Sequence, residues 1–540
     1  MHPQLVPGHS ALNVLHAASP PDATWSSINL AEAVPGVMTP LTASVWVPAS
    51  ELGLRRPFVA MGALPARRGT IPDDPTGRIT GAFFGRMAVR VDFLCEMGDL
   101  IPGHSGEALA RDFFGFIPPD FVSNPSGRRL PAIAARYPRT LTTIGRRIRS
   151  LRTHTDTWWR AEISQIADRN LAQAQRTAVD ARDRFSEALA AQAVISATVI
   201  QPVQDQLSKL AGLSGVDQAA LVRGAGHEEG VVLRDLWAAS RGRLDIGEFL
   251  RRHGYHGPGE GELETKVWRE DPAAVHALVE RYRTKPDSES PDADAAENRR
   301  RRAEAQRALL SGLSPTSALR AKVVLNMARR YIPLRGTGKV SYLQCLDVLR
   351  AAARRIGELL VEAGRLDEAD DVFYLTIDEL TGERITERID LRILVDERRG
   401  LRHEYRSLAI PSAWTGQPEP VRKAEPVDPM TKLSGVAASS GVVEGRAVVV
   451  TDPGAAEIDD GDILIAHTTD PSWVSLMFLS SALVVDIGGM MSHAAVVARE
   501  LGIPCVMNTG TGTRALNTGD LIRVDGTDGT VEVLNRACVS

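Results

Sequence analysis

Two different periods govern the placement of apolar residues along this chain, and the change from one to the other marks its organisation. From about residue 25 to about 410 the apolar positions recur mainly at helical spacing. The weave from Arg160 to Gln206 is rich in Ala, Arg and Gln and holds no proline until Pro202, which predicts long helices. Further on, Leu343, Leu346, Leu349, Ile356, Leu359 and Leu360 make a single helical stripe. Near the C-terminus the pattern shortens. Ala482-Leu483-Val484-Val485 is a continuous apolar run of β type, and after a glycine pair Ala494, Val497, Ala498 and Leu501 recur at i, i+3, i+4 and i+7. This predicts a strand, a glycine loop and a short helix that Gly502 and Pro504 stop.

Interruptions of the pattern divide the chain. Residues 1–24 bear Pro and His and are expected to be loose, with order beginning near Trp25. Trp25 to Thr42 mixes turn residues with apolar anchors, as a packed loop or the lining of a cleft would. Thr284 to Asp294 has too few apolar residues to order itself and predicts a flexible loop, with helix resuming at about Ala295. Residues 411–432 are rich in proline and charge without clear periodicity, which predicts a hinge linker. The expectation is a multidomain chain: a loose start (1–24), a mainly α-helical domain (25–410), the linker (411–432) and a C-terminal α/β domain (433–540).

Composition narrows the class. With 540 residues, 43% of them hydrophobic and 24% charged, the chain can bury several cores. It has no apolar run of about 18 residues and no basic-then-apolar leader at Met1-His2-Pro3, so neither a membrane span nor secretion is expected, and the cytoplasm is the expected location. The formal net charge of −4 argues against a general nucleic-acid binder, and Arg299 to Arg302, set among acids, read as a solvated helix face. Four scattered cysteines, Cys95, Cys345, Cys505 and Cys538, form neither a disulfide framework nor a metal site.

Candidate chemistry concentrates in three places. Ser492 is placed to cap the short C-terminal helix, which sets His493 at a helix N-terminus, where free N–H groups favour an anion. An imidazole there is neutral and nucleophilic at physiological pH and suited to carrying a phosphoryl group. Taken alone, such a Ser-His pair reads first as a capping or buried histidine. The second place is Phe249 to Leu263, a glycine-rich break carrying His253, His256, Glu260 and Glu262; it reads equally as a catalytic loop or as a helix-ending turn with exposed charges. The third is Tyr331 to Lys339. Gly338-Lys339 fails as a phosphate-binding P-loop, since Pro333 stands at the first glycine and Val340 at the hydroxyl position. A dinucleotide-like Gly510-x-Gly512 is likewise discounted, because Asn517-Thr518-Gly519 ends any helix at once.

The run Gly488-Gly489-Met490-Met491-Ser492-His493-Ala494-Ala495-Val496-Val497-Ala498-Arg499-Glu500-Leu501-Gly502-Ile503-Pro504 resembles the phosphohistidine swivelling domain of phosphoenolpyruvate-utilising enzymes, whose signature is Gly-Gly-x-x-Ser/Thr-His-Ala-Ala-x-x-Ala-Arg-Glu-x-Gly-Ile-Pro. The similarity extends from about Leu433, through Gly441 to Ala447, to Val531. It implies that His493 is phosphorylated and dephosphorylated in each turnover, with Gly488, Gly489, Ser492 and Arg499 as the phosphate-binding set. The N-terminal part resembles the helical substrate domain of rifamycin phosphotransferase-like proteins. That likeness rests on Trp25–Thr42 at its entry, on the loop ending in Gly-Glu, on an Arg-Glu-x-x-Lys element and on a closing segment, Gly364 to Leu380, to which structure alone is assigned. His256 replaces the usual arginine of the loop, and Gly336 replaces the acid between Arg335 and Lys339. The resemblance implies a catalytic set of His256, Glu260, Arg335 and Lys339, with the cations neutralising charge during transfer; as ordinary residues they read as surface cations. No metal site is expected on this chain.

Relatives carry an ATP-grasp domain, and some a phosphoenolpyruvate-binding barrel; neither is recognised here. The expectation is therefore the histidine-bearing subunit of a split dikinase that resembles phenylphosphate synthase. ATP and Mg²⁺ would lie on a separate ATP-grasp partner subunit, a small phenolic hydroxyl would be the acceptor, and AMP and phosphate the by-products. The alternatives are a rifamycin-type antibiotic or pyruvate as acceptor, or a non-catalytic docking protein.

Overall fold

The computed structural model describes residues 14–28, 30, 33–118, 121–222, 228–287, 290–383, 385–388, 390–422, 432–451, 458–459, 461–469, 473–488 and 492–537. Long helices build the first part: Pro40–Met61, Leu130–Gln165, Leu171–Ile195 and Leu334–Glu362 pack side by side. Their shared core runs from Leu41 and Trp46 through Phe185 to Leu343, Leu346, Leu349 and Ile356, so the stripe read from the sequence faces inward. Close approach is built into the third and fourth of these helices. A Cβ at Gly338 would lie 1.8 Å from Gln192 Oε1 and 3.1 Å from Gln192 Cβ, so any other residue there would displace the Gln192 side chain.

The weave from Arg160 to Gln206 is helical but for a break at residues 166–170, where Asn170 caps the next helix, and it carries one wide turn at Ser196–Ile200, where Gln201 N–H reaches back to the Ser196 carbonyl. Pro202 accounts for it: without an N–H it cannot bond the Thr198 carbonyl four residues earlier, and Tyr137 Oη donates to that carbonyl instead, at 2.6 Å. Order begins earlier than Trp25. Leu15 is 1% exposed within the helical core, and Ala17 N–H donates to the Ala82 carbonyl. The expected loop at Thr284 to Asp294 is also shorter than its polarity suggested. A helix opens at Pro291 and runs to Ser311, held on its outer face by Glu297 pairing with Arg300 and Arg301. Ser288 and Glu289 lie outside the described residues.

A four-stranded antiparallel sheet orders Thr80–Phe83, Arg86–Arg90, Thr24–Ser26 and Ala413–Thr415 side by side. Its last strand comes from the stretch read as a linker, and Val421–Arg422 pairs with Leu408–Ala409. These pairings tie the described start of that stretch to the helical part, while residues 423–431 lie outside the described set.

The C-terminal part is an eight-stranded sheet in the order Lys432–Ser434, Thr530–Asn535, Leu521–Asp525, Val442–Val450, Ile463–Ala466, Ala482–Val485, Cys505–Met507, Val436–Ser439. Its centre, from Val442–Val450 to Cys505–Met507, is parallel. The strand Ala482–Val485 is fully buried, as its unbroken apolar run predicts. This mainly α-helical part followed by an α/β part is the expected fold class. One apolar cluster joins the two: Trp237, Phe249, Trp268 and Tyr282 on the helical side meet Trp473, Leu476, Met477 and Ala494 on the other.

Candidate functional site

Strand, glycine loop and helix follow one another as the sequence predicts. Ala482–Val485 delivers the chain to Asp486, and Gly488 turns it at φ +149°, a conformation L side chains rarely adopt. The helix His493–Leu501 then begins, with Ser492 as N-cap accepting the Ala495 N–H at 3.1 Å and Gly502 closing it in the left-handed conformation. His493 is thus the first residue of that helix; its side chain, like Gly489, lies outside what the structure describes. Arg499 lies about 9 Å further along the helix axis. Its Nε donates to the Ala438 carbonyl at 2.7 Å, within its own domain. Burial, together with the like charge of Arg335, holds its pKa below the ordinary arginine value, and Asp217 opposes that shift. The histidine helix therefore faces the helical part, packing on Gln218–Val222 with Arg335 in electrostatic reach.

Arg335 and Lys339 sit four residues apart, one turn inside the helix Leu334–Glu362, so both cations share a face. This placement confirms that Gly338-Lys339 is no phosphate loop. Thr337, between them, donates to Glu228 Oε1 at 3.2 Å. Lys339 Nζ lies 3.7 Å from Glu260 Oε1, and Glu260 Oε2 accepts from His256 Nδ1 at 3.0 Å. Three of the four residues expected on the helical side are thereby linked in one chain of contacts, with Arg335 a turn away. His256 and Glu260 are each 5% exposed, so the reading of this break as a turn with exposed charges does not hold.

Two aromatic rings pack against the His256 ring. Tyr255 lies at 4.4 Å between centroids and Trp268 at 5.5 Å. In a neutral ring whose Nδ1–H is committed to Glu260, Nε2 is the nitrogen that carries a lone pair, the arrangement of a carboxylate-oriented general base. Burial raises the pKa of the neighbouring Tyr255 and Tyr342 hydroxyls, which therefore stay protonated as donors.

Two further residues of this break have partners that the sequence does not announce. His253 Nε2 donates to Asp235 Oδ2 at 2.8 Å, and burial, against the opposing Asp235, brings its pKa down to about 4, so the ring is neutral. Glu262 reads as a surface acid but accepts Thr39 N–H at 3.0 Å and both the Thr39 and Thr42 hydroxyls, tying the loop to the start of Pro40–Met61. Among the described residues no group of three His, Cys, Asp or Glu side chains gathers as a metal site requires, and no described helix is long and apolar enough to cross a membrane.

Two family models match the chain. The mobile domain of PEP-utilising enzymes covers residues 458–529, which include His493, and the fourth domain of rifampicin phosphotransferase covers residues 163–336, which include His256, Glu260 and Arg335. A rifampicin phosphotransferase of Streptomyces sviceus is 33% identical over 351 residues, covering 63% of this chain and 38% of that protein. A rifampicin phosphotransferase of Bacillus cereus is 31% identical over 54% of this chain and 34% of its own length. An uncharacterized protein of Mycobacterium tuberculosis is 29% identical over 95% of this chain and 62% of its own. The chain thus spans little more than a third of the rifampicin phosphotransferases it matches.

Proposed function

We propose that this chain, which belongs to the PEP-utilising, rifampicin phosphotransferase-like family, relays a phosphoryl group through His493 to a hydroxyl acceptor held against the helical part. The observation that carries this reading is the chain of contacts Lys339–Glu260–His256 on the part of the molecule against which the histidine helix packs.

In the first half-reaction one ATP and one water give AMP, phosphate and phospho-His493. The donor ATP and its Mg²⁺ belong to an ATP-grasp partner subunit. In the second half-reaction the acceptor hydroxyl gives its proton to His256 Nε2, its oxygen forms the new O–P bond, and the N–P bond to His493 breaks, returning the electron pair to the imidazole. Glu260 holds His256 in the tautomer that leaves Nε2 free, and Lys339 and Arg335 offset the charge on the travelling phosphoryl group. Gly488, Gly489 and Ser492 are the residues assigned to binding the phosphoryl group next to His493. Arg499, bonded to Ala438, holds that helix to its sheet.

A small phenol is the preferred acceptor. A phenolic hydroxyl has a pKa of about 10, so a positioned base assists it, and Tyr255, Trp268 and Tyr342 give the site aromatic neighbours for a flat ring. The identity to rifampicin phosphotransferases supports a rifamycin-type acceptor as the second reading. Separate assays of the half-reactions test the scheme. Glu260→Gln should leave loading of His493 unchanged and slow discharge to phenol, 4-cresol or rifampicin by about 10²–10⁴-fold; a variant that loads poorly but discharges normally would overturn it.

A further inference from the structure

The loop from Gly254 to Glu270 has no regular backbone pairing along most of its length, yet it carries His256 and Glu260 at fixed positions. Four glycines, Gly254, Gly257, Gly259 and Gly261, leave its carbonyls without helix or sheet partners. Arg350 collects them. Its side chain is fully buried in the helix Leu334–Glu362, with Nε donating to the Leu263 carbonyl at 3.2 Å and Nη2 to the carbonyls of Glu260 at 3.2 Å and Glu262 at 3.1 Å.

Asp347, three residues earlier on the same face and also fully buried, lies 3.7 Å from Arg350 Nη1 and supplies the opposite charge. Asp347 is itself held by Trp159 Nε1 at 2.8 Å and by Arg269, whose Nη2 and Nε donate at 2.8 and 3.3 Å. Arg269 lies on the returning arm of the loop, and its N–H donates to the Gly254 carbonyl at 2.9 Å. One helix face therefore grips both arms, Arg350 the arm of Glu260 and Asp347 the arm of Arg269, and His256 lies between them.

Stability alone does not account for this pair. Taking an ion pair fully out of water costs several kcal/mol, and apolar residues of similar volume often do as well or better. What an apolar side chain lacks is a planar fork of donors able to meet three carbonyls together. We infer that Arg350 is the positioning residue of the acceptor site, setting the loop so that Glu260 meets His256 Nδ1 and Nε2 is left for the acceptor. The consequence for turnover rests on the proposed relay; the consequence for His256 does not.

The test is ¹⁵N NMR of the full chain labelled at histidine, with the His256 signals assigned by their loss in His256→Asn, on wild type, Arg350→Met, Arg350→Lys and Leu349→Ala. Leu349 is fully buried next in sequence and serves as a destabilised control. Wild type should show His256 as one tautomer, protonated at Nδ1. Arg350→Met should shift those signals toward averaged tautomers and slow discharge about 10²-fold, the scale of a 1 Å misplacement, with loading of His493 unchanged. Arg350→Lys keeps the charge opposite Asp347 but cannot fork to three carbonyls; it should show the same shift even if the methionine variant fails to fold. Unmoved His256 signals in Arg350→Lys, or an equal movement in Leu349→Ala, would overturn the assignment. Shifted signals in a protein whose wild type never discharges would instead fault the relay and leave the positioning role standing.

Discussion

Lys339 Nζ stands 3.7 Å from Glu260 Oε1, and that buried oxygen accepts no hydrogen bond from the described residues. The lysine thus offsets a carboxylate whose other oxygen is committed to His256. Lys339→Met should leave the charge on Glu260 without its cation and destabilise the protein by about 1–3 kcal/mol, the usual cost of a buried polar group deprived of its partner. Urea unfolding of the two proteins measures this, with Lys339→Arg expected to recover most of the loss.

At the other end of the proposed relay, one hydrogen bond decides where the histidine helix starts. Ser492 Oγ accepts the Ala495 N–H at 3.1 Å. Ser492→Ala should cost about 1 kcal/mol and raise amide exchange over Ala494, Ala495 and Val496, while Ser492→Asp, also a capping residue, should retain protection. Equal exchange in wild type and alanine variant would mean that the cap does not fix the helix start.

Asp486, 1% exposed, links the end of its strand to the turn after Met507 through Thr509, Gly512 and Thr513. Burial pushes its pKa up, but hydrogen bonds from His467, Thr513 and Thr509 outweigh burial and leave it below the ordinary aspartate value. A carboxyl depressed on folding contributes stability that is present above its unfolded pKa of about 3.9 and is lost as pH falls through the lower folded value. The C-terminal part should therefore lose thermal stability as pH drops below about 4. Asp486→Asn should melt lower at pH 7 and show a flatter acid limb; calorimetry from pH 7 to pH 3 reads both.

How far the site was legible depends on the kind of residue. Ser492 and the helix after it could be read because caps, glycine turns and a 3.6-residue period are local. The break carrying His256 and Glu260 could be read as a break, since glycines interrupt any helix, but its burial could not. That burial comes from Arg350, Asp347 and Glu262, whose partners lie 78 to 223 residues away. Charged residues within a helical stripe look like any solvated face until the opposing element is known. The strand Ala413–Thr415 was hidden in the same way: its partner Thr24–Ser26 is 389 residues earlier at the Trp25↔Trp414 pair, and nothing in a proline-rich run announces it.

The rings of Tyr282 and Phe478 lie 6.1 Å apart across the contact between the two parts. If one histidine serves two sites, this contact must open in every turnover. Cysteines at both positions, joined by a cleavable bis-maleimide, should block loading of His493 and restore it when the bridge is cut. Loading at the wild-type rate in the bridged form would remove the need for domain motion.

In the proposed relay, His493 carries the phosphoryl group. Incubating the chain with an ATP-grasp partner subunit, Mg²⁺ and ATP labelled at the β-phosphate, then digesting under alkaline conditions for mass spectrometry, addresses it directly. The expected result is one acid-labile, base-stable phosphoryl on the peptide containing His493, lost on addition of acceptor with the label recovered in product, and no labelling of His493→Ala despite an unchanged melting profile. Label on another residue, or full phosphoryl transfer by His493→Ala, would contradict it.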